Sequence, residues 1–69
     1  MPHSLVKARC LPPQAGAPWP VLELQLPVED DSIGWQWMDV EQAQNMYHIR
    51  VVQLLRDTTH QWLALIETP

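Results

Sequence analysis

The chain has 69 residues, 46% of them hydrophobic, with eight acids against four bases, a net charge of −4 and one cysteine, Cys10. These numbers exclude an intrachain disulfide framework and a structural zinc site on cysteine ligands, and the lack of a basic face disfavours nucleic acid as a partner. A chain this short buries only about 60% of its unfolded surface, so contact with a larger partner or a homodimer is expected.

The start, Met1-Pro2-His3-Ser4, lacks the charged-then-apolar pattern of a signal peptide. No apolar run approaches the ~20 residues of a membrane span. The expectation is one soluble cytoplasmic domain over residues 1–69, with no membrane partner. From His3 to Cys10 the residues alternate, with Leu5, Lys7 and Arg9 on one side and apolar Val6, Ala8 and Cys10 on the other. That alternation predicts an edge strand laid on a core, with Cys10 as an inert buried thiol. Residues 11–20 carry Pro12, Pro13, Pro18 and Pro20, which remove ladder donors and predict a stiff loop. Trp19, held between two of these prolines, is placed over the sheet edge.

Val21 to Leu26 is the clearest strand. Leu22, Leu24 and Leu26 share a face, Glu23 and Gln25 take the other, and Pro27 ends the run. An acidic turn follows, Glu29-Asp30-Asp31-Ser32, and then a third strand from Ile33 to Met38, close enough for an antiparallel hairpin. Trp35 and Trp37 lie two apart in that strand, so an extended backbone points both rings the same way. Asp39 is a helix cap, with Gln42 and Glu41 suited to the first turn. Val40, Ala43 and Tyr47 then fall on one helical face.

Two continuations are open from residue 48. The apolar spacing through Val51 and Leu54 permits a helix to about residue 56. The β-branched cluster Ile49, Val51 and Val52 favours a short helix and then a hairpin. With Asp57-Thr58-Thr59-His60 as a four-residue loop, that hairpin sets Arg56 opposite Gln61, Leu54 opposite Leu63 and Arg50 opposite Glu67. Its other face sets Leu55 opposite Trp62 and Val51 opposite Ile66, although the loop has no glycine. The fold class is therefore α+β: a small antiparallel sheet of about four to five strands packed on one short helix starting near Asp39. The helix to about residue 56 is the alternative.

No catalytic constellation stands out. His3, His48, His60 and Cys10 show no metal-ligand spacing, Gly16 and Gly34 stand alone rather than in a phosphate loop, and of the two serines, Ser4 and Ser32, the second follows acids that would oppose an alkoxide. No cofactor is expected. Pro2, once exposed by loss of Met1, resembles the N-terminal proline base of small oligomeric tautomerases. The resemblance extends to chain length, but those enzymes run from the first strand into a long helix where Pro12 and Pro13 stand here.

Four tryptophans with no phenylalanine are the positive signal, since each ring covers about 150–250 Å². Trp62, on a dense apolar strand, is expected in the core. Ile33, Trp35 and Trp37 beside Glu29, Asp30 and Asp31 combine aromatic anchors with steering charge, as an interface does. The reading is a small non-enzymatic binding or regulatory protein working through a protein partner or a second copy, of the kind bacteria and phages encode as accessory factors. The alternatives are a structural subunit with buried tryptophans and, more weakly, an enzyme using Pro2.

Overall fold

The computed structural model describes residues 2–28 and 34–69. Strands β1 (His3–Leu11), β2 (Val21–Pro27) and β3 (Trp35–Asp39) precede one helix, α1 (Val40–Tyr47), followed by β4 (Arg50–Arg56) and β5 (Trp62–Glu67). All pairings are antiparallel, and the strand order is β3-β2-β1-β5-β4. The α+β class, the five strands and the short helix match the expectation from sequence.

The helix starts and stops for local reasons. Asp39 is extended, and its Oδ1 accepts the Gln42 N–H at 2.7 Å, which satisfies one of the free donors of the first turn. At the other end His48 turns left-handed (φ 56°) and donates its N–H to the Gln44 carbonyl at 2.9 Å. The β-branched residues that follow prefer an extended chain, so the alternative of a helix to about residue 56 is overturned. Eight helical residues span about 12 Å. With His48 and Ile49 they carry the chain from the β3 edge across the sheet to the β4 edge.

Among the described residues, helix α1 covers one side of the sheet. Leu24, Leu26, Met38, Ala8, Ala64 and Ile66 point to this side and are buried with Ala43 of α1 and Ile49. Three of these eight are alanines. Ala43 has no exposure, so the helix backbone lies close against the sheet. Tyr47 ties the helix end down by donating its hydroxyl to the Pro27 carbonyl at 2.9 Å.

The strand expected at the edge, β1, is instead the central one. It pairs with β5 over His3 to Ala8 and with β2 over Ala8 to Leu11, so only Ala8 has strand partners on both sides. The sequence could not show this, because a strand with one apolar face reads the same at an edge and in the middle. The buried thiol is also overturned: Cys10 is exposed, since it lies beyond the last β5 partner.

The β4–β5 hairpin keeps the expected pairing at its open end, Arg50 with Glu67 and Val51 with Ile66. Nearer the loop the expected register is corrected by one residue, to Leu54 with Ala64, Leu55 with Leu63 and Arg56 with Trp62. The shift falls between Val51 and Gln53, with Val52 as the extra residue of a bulge. The loop closes more tightly than expected, through the Asp57 N–H and the Gln61 carbonyl at 3.0 Å. His60 takes the left-handed conformation (φ 64°) that a glycine would otherwise supply. The Asp57 carboxylate rewards this geometry by accepting from the Thr59 N–H, the Thr59 hydroxyl and the Gln61 N–H. Within the Pro-rich segment, Gln14 and Ala17 exchange two backbone bonds of 3.0 Å around Ala15-Gly16, a tight turn in what was expected to be plain loop.

Candidate functional site

The second side of the sheet carries the odd-numbered residues of β1, β2 and β3, and no helix or strand among the described residues lies over it. Because successive strand residues point to opposite faces, Trp35 and Trp37 point the same way, and the strand register sets them on this side with Leu5, Lys7, Arg9, Glu23 and Gln25. The register adds Leu55, Leu63 and Leu65, through Lys7 opposite Leu63, Leu63 opposite Leu55, and Leu5 opposite Leu65. Trp35 is 61% exposed and Leu5 56%, whereas Trp37 and the three leucines are half-buried. The face is thus apolar along the Trp35 and Leu5 end and polar through Lys7, Arg9 and Glu23.

Its charges are mostly paired. Arg9 donates from Nε to Glu23 Oε1 at 2.8 Å, and its guanidinium lies 4.2 Å from the centre of the Trp37 ring. That stack explains why Trp37 is less exposed than Trp35. Arg50 donates to Glu67 Oε2 at 2.8 Å, and His3 stands 3.8 Å from the same carboxylate. The Arg50 bond, then the Arg50 and His3 charges, hold the Glu67 carboxyl below the usual range. The hydrogen bond from the Thr59 hydroxyl, followed by those from backbone N–H groups, does the same for Asp57. Lys7 has no ion-pair partner among the described residues.

The split pairing of β1 opens two gaps in the sheet. Below Ala8, β1 and β2 separate. An apolar cleft of about 400 Å³ opens there between Val6, Leu26, Trp35, Tyr47, Ile49 and Ile66. Above Ala8, β1 and β5 separate, and a cleft of about 460 Å³ opens between Lys7, Arg9, Cys10, Trp37, His60 and Trp62.

The remaining site residues divide as follows. Ile33, Glu29, Asp30 and Asp31 lie outside the described residues. Trp62 packs partly buried against the core and beneath Arg56, whose guanidinium is 4.3 Å from its ring centre. Trp19 does not seal the sheet edge and is 63% exposed. No cluster of three metal-ligating side chains occurs among the described residues, and no helix is long and apolar enough to cross a membrane. The leucines of the open face were missed from sequence because their face depends on the β1–β5 pairing and on the β4–β5 register. The Leu5, Lys7, Arg9 alternation was the available signal. Compared with known families, curated proteins and solved structures, the chain matches none of them.

Proposed function

We propose that this protein is a small non-enzymatic binding module that docks a protein surface, a partner's or a second copy's, on its uncovered sheet face. The carrying observation is Trp35, 61% exposed beside the exposed Leu5 on a face that nothing in the described fold covers. Covering the exposed part of such a ring removes roughly 100–150 Å² from water, about 3 kcal/mol before the costs of association. Single exposed aromatics of this kind are the usual energetic anchors of interfaces.

The size of the molecule supports the same reading. Its accessible surface is 5061 Å², against about 4,450 Å² for a compact monomer of 8.0 kDa. The radius of gyration, 12.5 Å, exceeds the ~11 Å of a compact 69-residue domain. Five strands about 4.8 Å apart and about 20 Å long present a flat area near 480 Å², below the ~800 Å² per partner of a standard interface. The contact therefore extends past the sheet, and the acidic run Glu29-Asp30-Asp31 supplies steering charge in this proposal.

The test compares the wild type with a Trp35→Ala/Trp37→Ala variant, using light scattering across micromolar concentrations and binding to any captured partner. The variant is expected to keep its circular dichroism and lose the partner or the dimer. Unfolding of the variant, or retention of the contact, would refute the docking role of these rings.

A further inference from the structure

The gap between β1 and β5 combines three features that point to one ligand. The first is charge. On a chain of net charge −4, two of the four basic residues line this one cleft. Lys7 and Arg9 line the cleft, and Arg56 stacks on its wall residue Trp62 while donating to the His60 carbonyl at 3.3 Å. The nearby acids are engaged: Glu23 holds Arg9, and Asp57 accepts three hydrogen bonds inside its own loop. Lys7 makes no ion pair among the described residues, and its charge also acts on the Asp57 carboxylate from a distance.

The second feature is an open backbone edge. The Thr68 N–H donates to the Pro2 carbonyl at 3.1 Å, which fixes the even residues of β1 as those facing β5. Cys10 is even, yet the β5 pairing stops at Ala8 with Trp62. The Cys10 N–H and C=O therefore point into the gap with no strand opposite them. A free donor and acceptor on an extended strand form a template for another extended chain. The third feature is a pair of indoles in the lining, Trp37 reaching it from the uncovered side of the sheet and Trp62 from the covered side.

We propose that this cleft binds an acidic peptide segment in extended conformation. The segment lies along Arg9–Leu11 as a short added strand, pairs with the Cys10 backbone and sets a carboxylate on Lys7. The paired stretch is about 10 Å, or three residues. A polyanionic nucleic acid fits less well, because the backbone edge at Cys10 matches a peptide and the overall charge of −4 repels a long polyanion. The site is separate from Trp35 and does not depend on the docking face proposed above.

The test uses a capped pentapeptide alternating glutamate and leucine, with alkylation of the sole thiol, Cys10, and tryptophan emission as readouts. The glutamate peptide is expected to slow Cys10 alkylation at least fivefold, and raising salt from about 50 to 300 mM is expected to weaken it severalfold. Lys7→Glu is expected to cost at least tenfold in affinity and Lys7→Gln less, both variants keeping wild-type circular dichroism. Methylating the central peptide nitrogen is expected to abolish binding, and Trp35→Ala to leave it unchanged. The proposal is overturned by the absence of protection at millimolar peptide, or by equal binding of the lysine counterpart. Undiminished binding of the N-methylated peptide, or tighter binding of a ten-nucleotide oligothymidine, also overturns it.

Discussion

Leucines 24 and 5 carry the same side chain on opposite faces of one sheet, and truncating each to alanine tests the architecture directly. Leu24 has no exposure and lies between Ala8 and Met38 on the covered side. Leu24→Ala removes three buried carbon groups at about 0.8 kcal/mol each, near 2.4 kcal/mol, and a partly collapsed cavity raises the cost to about 3 kcal/mol. A 69-residue domain holds only about 3–10 kcal/mol in total, so this one change takes a third or more of it. Leu5 is 56% exposed on the uncovered side, and Leu5→Ala is expected to cost under about 1 kcal/mol. Urea denaturation followed by far-ultraviolet circular dichroism measures both. Equal costs for the two variants would refute the register, because a one-residue slip exchanges the faces.

Three further outcomes follow from local geometry. Asp39→Ala leaves the Gln42 N–H without its 2.7 Å acceptor and is expected to lower stability by about 1 kcal/mol. An unchanged urea midpoint would refute the cap. His48→Gly relieves a left-handed residue (φ 56°) and is expected to raise stability by about 0.5–1 kcal/mol, visible as a higher melting temperature. The Asp57 carboxyl is held below its ordinary range by the Thr59 and Gln61 bonds. A depressed folded-state value means the stabilisation is complete above the ordinary carboxylate range and is lost as pH falls through the lower folded value. The melting temperature of the wild type should therefore fall below about pH 4 more steeply than that of Asp57→Asn, and parallel profiles would refute the assignment.

The local elements were legible because their causes are local. Asp39 carries a short polar side chain ahead of a helical apolar pattern, and Val21 to Leu26 alternates cleanly. Either signal is contained within a few residues. The β4–β5 hairpin was half legible. Matching of Arg50 with Glu67 set its open end, whereas His60 in a glycine-like conformation and the Val52 bulge moved the other end by one residue. Bulges and left-handed histidines leave no periodic trace. Of the uncovered sheet face, the shared orientation of Trp35 and Trp37 followed from spacing alone, but the leucines beside them did not.

The sequence by itself determined the strand over Val21 to Leu26, the helix start at Asp39 and the shared direction of Trp35 and Trp37, since these depend on periodicity and capping within a single segment. Tertiary structure alone decided that β1 sits at the centre and is shared by halves between β2 and β5. Strand order is a matter of contacts between residues up to about sixty positions apart, such as His3 and Glu67, and no local pattern encodes them. That sharing exposes Cys10 and brings Lys7 and Arg9 to the edge of one cleft. A single eight-residue helix covers only one side.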